Sequence, residues 1–149
     1  MTSPDGAAAA GYSGTPLYRK LGVRPGHLVL VVDPPADLPA LDADGAAQVL
    51  TRAALDRGGT GPAADVLLLF CPDTATLLAG LPVALAGTAD GGRCWIAWPK
   101  RASKVPTDLT EDVVRDAALA AGWVDVKVCA VTAVWSGLCL MRRTRSAPR

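Results

Sequence analysis

Residues 65–98 read DVLLLFCPDTATLLAGLPVALAGTADGGRCWIAW, and this stretch decides the fold. Asp65–Phe70 and Arg93–Trp98 are continuous apolar runs bounded by turn residues. Such runs mark strands buried on both faces, because a half-exposed strand alternates. Pro72 ends the first run and Pro99 the second. Between them, Asp73 or Thr74 can cap a helix reaching Leu85, which Gly80 and Pro82 weaken. Proline inside a helix removes a backbone donor and crowds the preceding turn. Ala89-Asp90-Gly91-Gly92 reads as a turn. Two buried strands joined through a helix imply parallel pairing.

Working outward, His27–Val32 (HLVLVV) is another buried strand, stopped by Asp33-Pro34-Pro35. Ala46–Leu55 predicts a helix with Val49, Leu50, Ala53 and Ala54 on one face. Gly58-Gly59-Thr60-Gly61-Pro62 predicts a flexible loop. On the other side, Asp108 fits an N-cap with Glu111 three residues on, the spacing of a capping box. Val113, Val114, Ala117, Ala118 and Ala121 form a helical stripe, and Gly122 stops it. Trp123–Val131 alternates, and Trp135–Arg142 follows closely enough to pair with it around Thr132-Ala133. The expected fold is a three-layer α/β Rossmann-like domain. Its mostly parallel sheet has about five strands and ends in an antiparallel pair. Residues 1–10 are expected to be disordered, 11–143 to form one domain, and 144–149 to be a flexible basic tail. Within 11–26, Leu17, Tyr18 and Leu21 suggest a short helical turn docked on the body, ended by Gly22.

The chain has 149 residues, half of them hydrophobic, which suffices for a sizeable core. Lys and Arg number 15 against 14 Asp and Glu, so the balance argues against a dedicated nucleic-acid protein. The arginines at 142, 143, 145 and 149 can aid solubility or touch RNA or an acidic partner, but no stacking motif accompanies them. No apolar run reaches the roughly 20 residues of a membrane span. The first residues lack a signal-peptide pattern, so a cytoplasmic location is expected.

Cys71, Cys94, Cys129 and Cys139 form no CxxC pair and sit in or beside apolar runs. With His27 the only histidine, no metal site is expected. Cys129 and Cys139 are placed across the expected hairpin, close enough for adventitious oxidation. Any nucleophile–histidine site would have to use His27, at the entry to a strand.

From Asp-led DVLLLF through the Gly-Gly turn of ADGGRCWIAW to the closing strand pair, residues 63–143 resemble the last part of Rossmann-like class I methyltransferases. That resemblance implies a cofactor, S-adenosylmethionine, held by a glycine-rich loop after the first strand. Here that strand runs into Val32-Asp33-Pro34-Pro35, and no acidic residue stands out for the cofactor ribose. The segments GYSGTPLYRKLGVRPG, WPKRASKVPTDLTEDVVRDAAL and WVDVKVCAVTAVWSGLCLMRR are similar to a family of small bacterial proteins known as a domain of unknown function. That likeness runs from Gly11 to Arg143, weakest over 34–62, and implies a small cytosolic domain without implying a reaction.

The candidate site follows from the rule that open α/β sheets bind ligands outside the carboxyl ends of their strands. Trp98–Glu111 (WPKRASKVPTDLTE) leaves such an end carrying Lys100, Arg101, Ser103 and Lys104, with no acid before Asp108. It leads into a helix N-terminus, where free N–H groups favour anions unless Asp108 and Glu111 already occupy them. Asp33 ends the first strand on the same edge, as a ligand carboxylate or as a turn opener. Trp95 and Trp98 must face opposite ways, so one can serve the site while the other packs under helices. Trp135 begins the last strand and can close a pocket. The tentative ligand residues are therefore Asp33, Lys100, Arg101, Ser103, Lys104, Trp98 and Trp135. No cofactor is called for. The leading expectation is a non-catalytic binding or interaction module, partnered by an unknown protein or a small anionic ligand. A small enzyme or ligand sensor with an anion pocket at this edge comes second. S-adenosylmethionine binding comes third.

Overall fold

The structure is a computed structural model and describes residues 14–54 and 62–143. The expectations for residues 1–13, for most of the glycine-rich loop at 58–62 and for the tail after 143 lie outside the described residues. In chain order the elements are α1 (Leu17–Lys20), β1 (Leu28–Val32), β2 (Gln48–Arg52), β3 (Ala64–Phe70), α2 (Thr74–Ala86), β4 (Thr88–Pro99), α3 (Glu111–Ala120), β5 (Trp123–Ala130) and β6 (Trp135–Arg142). They form one six-stranded sheet in the order β2-β1-β3-β4-β6-β5. The first four strands are parallel, and β6 pairs antiparallel with both β4 and β5.

Apolar runs become central strands because both sheet faces are covered. In β3, Leu67 and Leu69 pack with the helix layer, beside Leu77 and Leu81 of α2 and Val114 and Ala118 of α3. Val66, Leu68 and Phe70 face the other way, against Leu21, Val23 and Leu41. That second outer layer is α1 and the irregular chain after β1, not full helices. Trp95 Nε1 donates to Leu21 O at 2.9 Å, which fastens this layer to the sheet. Gly22 ends α1 with φ +88°, and a Cβ there would stand 2.8 Å from Arg93 Nη1.

Within the helix expected over Ala46–Leu55, Gln48–Arg52 is instead the sixth strand, β2, and Leu55 lies outside the described residues. Its register runs from Leu28↔Gln48 to Val32↔Arg52. The apolar spacing there fits either state, and β1 decides it. Without β2 the outer backbone groups of β1 would lack partners. β-Branched Val49 and Thr51 suit the pleat. Pro82 lies inside α2 without ending it. Proline removes the bond to the Leu78 carbonyl, but Leu78 and Pro82 are both exposed, where water can replace that partner. Leu77, Leu81, Ala84 and Leu85 hold the helix down on its buried side.

The cap of α3 also differs from expectation. Thr110, not Asp108, is the N-cap, and its Oγ1 accepts from Val113 N at 3.2 Å. Asp108 Oδ1 accepts from Thr74 N at 2.8 Å, which ties the loop to the start of α2. Glu111 is the first helical residue and pairs with Arg115, which also binds Asp112 and Asp125. Thr110→Ala should cost about 1 kcal/mol, the usual worth of an N-cap, and speed amide exchange at Val113. Asp108→Ala should instead loosen the amide of Thr74. Hydrogen exchange on both variants separates the two roles, and equal loosening of both helices by either one contradicts them.

Candidate functional site at the carboxyl edge

The parallel strands β1, β3 and β4 end side by side at Val32, Phe70 and Pro99. β1 lies between β2 and β3, so the chain leaves it in one direction and returns on the other side. That reversal is the position where open α/β sheets hold ligands. Asp33, Cys71 and Lys100 are the first residues beyond the three ends. Asp33 and Lys100 share this edge, but β3 separates their strands. At strand spacing that is about 10 Å of backbone.

The basic stretch after β4 is a built turn. Lys100 N donates to Val134 O at 2.8 Å, which anchors it to the β5–β6 connection. Arg101–Ser103 is one 3₁₀ turn, closed by Lys104 at φ +62°. Ser103 Oγ donates to Lys100 O at 2.7 Å and accepts from Val105 N at 3.3 Å. This hydroxyl therefore shapes the turn and is not an idle ligand group. Thr107 Oγ1 donates to Pro72 O at 2.7 Å and accepts from Leu109 N at 3.1 Å. With Asp108, it pins the loop to the start of α2. Thr107 and Asp108 are the residues that sequence reasoning missed in this role. The run Thr107-Asp-Leu-Thr110 offers several capping side chains, and only the packing of two helix starts separates their tasks.

On this turn Arg101 and Lys104 are exposed and Lys100 is half-buried. None of them forms an ion pair among the described residues, where every salt bridge belongs to Arg115. Asp33 is exposed and has left-handed backbone, φ +56°. Trp98 is not at the site. It is 5% exposed and packs in the helix-side core with Leu77 and Leu109. Trp95 packs on the opposite face. The alternation holds, but both rings are used for packing. Trp135 is half-buried and meets Phe70 edge to face, with centroids 5.1 Å apart.

Burial, with a smaller push from Asp73, drives the Cys71 thiol up to about 12, so it is not a ready nucleophile. The Thr76 hydroxyl, and after it the Thr76 N–H, hold the Asp73 carboxyl below its usual range, as befits the cap of α2. His27 precedes β1 and so stands at the opposite edge, away from any of these groups. Cys129 and Cys139 do not face each other, since Cys129 pairs with Gly137 and Cys139 with Lys127. Among the described residues no His, Cys, Asp or Glu side chains gather as a metal site.

The loop after β1 also tests the cofactor that the resemblance implies. Asp33 N already donates to Arg52 O at 2.7 Å. Pro34 and Pro35 have no N–H to offer. Beyond them Leu41 and Ala43 are buried against the sheet, and β2 ends in Arg52, a cation. These residues do not make the donor-rich backbone cradle expected after β1.

Comparison with solved structures shows the methyltransferase fold. A ribosomal protein L11 methylase from Lactobacillus delbrueckii subsp. bulgaricus matches with a TM-score of 0.55 at 10% identity, covering 86% of this chain and 76% of that one. An O-methyltransferase family protein from Burkholderia thailandensis also gives 0.55, at 14% identity, covering 89% of this chain and 54% of that one. A putative tRNA (m1A22) methyltransferase from Streptococcus pneumoniae gives 0.52 at 13% identity, covering 89% and 70%. No protein-family model matches the chain, and no curated protein matches it. The six-stranded, mostly parallel sheet closed by an antiparallel pair is thus a Rossmann-like methyltransferase fold. Among the described residues no helix is long and apolar enough to cross a membrane.

Proposed function

We propose that this chain is a non-catalytic binding module on a methyltransferase-like fold, and that it docks an acidic segment of a protein partner. Lys100, Arg101 and Lys104 make the contacts, with Asp33 on the same edge setting register. One observation carries this reading: a turn pinned by backbone bonds to Val134 and Lys100 presents cations that pair with no acid among the described residues. Holding the turn in place reduces the ordering cost of binding. What supports a binding role over catalysis is that Ser103 is held within its own turn and that burial pushes the Cys71 thiol up, so neither side chain is set up as a nucleophile.

The test is a thermal-shift series with an oligo-glutamate peptide, inorganic phosphate, S-adenosylmethionine and S-adenosylhomocysteine. The peptide should raise Tm, with a response that fades as salt rises. At a hundred times its Kd the gain is about 2.7 kcal/mol. Lys100→Glu, Arg101→Glu and Lys104→Glu together should abolish it while leaving the ligand-free Tm unchanged. A shift with phosphate but not with the peptide favours the anion-pocket enzyme or sensor. A shift with S-adenosylhomocysteine that survives the charge reversal favours the methyltransferase reading instead. Either outcome overturns the module proposal.

A further inference from the structure

The amino edge of the sheet, opposite the site above, carries an open cleft of about 300 Å³. It exists because β3 and β4 lose register there. Ala64 pairs with Thr88 and Val66 with Arg93, so the chain from Ala89 to Gly92 bows around Asp65 alone. The bow needs Gly92: a Cβ there would stand 2.8 Å from Asp65 O and 2.9 Å from Ala89 O. Arg24 and His27 close the other side, at the end of the segment that α1 anchors.

The walls hold both charge signs. Arg24 and Arg93 are cationic, and Asp65 and Asp90 anionic. Among the described residues none of the four is in an ion pair. Asp65 Oδ2 accepts from Leu28 N at 2.8 Å, which fixes the carboxylate. His27 Nδ1 accepts from Arg24 N at 3.1 Å, so a neutral ring carries its proton on Nε2. Asp65, His27 and Arg93 are half-buried, whereas Arg24 and Asp90 are exposed at the rim. Opposite charges gathered around one space, without neutralising one another, suit a ligand that carries both. A volume of about 300 Å³ is at the small end of ligand sites.

We infer that this cleft binds a small zwitterion of the free α-amino acid class. The ligand carboxylate lies against Arg24 and Arg93, and its ammonium against Asp65 and Asp90. The site is independent of the carboxyl-edge proposal and shares no residue with it.

Isothermal titration of the full chain with each proteinogenic amino acid, acetate and inorganic phosphate tests this. At least one amino acid should bind saturably, and at least tenfold more tightly than acetate or phosphate. Arg24→Gln and Asp90→Asn, both at exposed positions, should each weaken that binding at least tenfold with Tm unchanged. Gly92→Ala should remove it and lower Tm as well. The inference is overturned if no amino acid binds the folded protein. Acetate or phosphate binding as tightly overturns it too, as does wild-type affinity in both rim variants.

Discussion

Trp95→Ala is expected to destabilise the fold by about 3–5 kcal/mol, the usual range for emptying a buried aromatic site. Trp95 is fully buried and lies on a strand between β3 and β6, opposite Leu68 and Cys139. A Cβ on Gly137 would stand 3.2 Å from its ring, so the packing around it is close. The substitution also removes the indole bond to Leu21 O, which docks the N-terminal segment. Trp95→Phe keeps most of the volume but leaves that buried carbonyl without its partner, at about 1–3 kcal/mol. Urea unfolding of both variants measures the difference. A loss below about 1 kcal/mol for the alanine variant would mean that the N-terminal segment is not fastened to the core in this way.

Alkaline pH is expected to act almost as strongly. Cys71, Cys94 and Cys139 are buried, and burial pushes each thiol from an ordinary 9.0 up to about 12. Above pH 9 the unfolded chain releases these protons while the native protein keeps them. The native state then binds more protons, so stability falls as pH rises from about 9 to about 12. Each thiol contributes about 1.4 kcal/mol per pH unit in that window, or ~4 kcal/mol for the three at pH 10. Below pH 9 their contribution is fully present. Urea midpoints measured at about pH 8 and about pH 10 should show this fall. The joint variant Cys71→Ala, Cys94→Ala, Cys139→Ala should flatten it. A wild-type midpoint unchanged across the interval would show that these thiols are not shielded.

The two proposed sites occupy opposite edges of one sheet, and each arises from a departure in the connections. At the carboxyl edge, Asp33-Pro34-Pro35 stands where a donor-rich loop would be, and the pinned turn after β4 becomes the prominent charged feature. At the amino edge, the bow at Ala89–Gly92 opens a space that an unbroken β3–β4 pairing would close. The parallel ladder itself is conventional. Function on such a scaffold resides in what its loops present.

Much of this fold was legible in the residues. HLVLVV, DVLLLF and RCWIAW could only be strands buried on both sides, and their alternation with helices required a parallel sheet. The closing pair and the stop at Gly122 were local signals, as was the short turn ended by Gly22. What failed was where one segment could serve two local states. Residues 48–52 carry a pattern compatible with helix, and the open hydrogen bonds along β1 made them a strand. Asp108 and Thr110 are both good caps, and the packing of the α2 start against the loop assigned one helix to each.

For the candidate residues, sequence placed Asp33 and the Lys100–Lys104 turn at the carboxyl edge, where the structure also has them, because strand direction alone sets which end a residue follows. It could not tell that Trp98 faces the helix layer, that Ser103 is spent inside its own turn, or that Asp65 and Arg93 meet Arg24 and His27. Local propensity and periodicity act over a few residues, and the sequence carries them unaided. Which groups share a space depends on strand order and register, and those arise only when distant segments satisfy one another's hydrogen bonds and apolar faces.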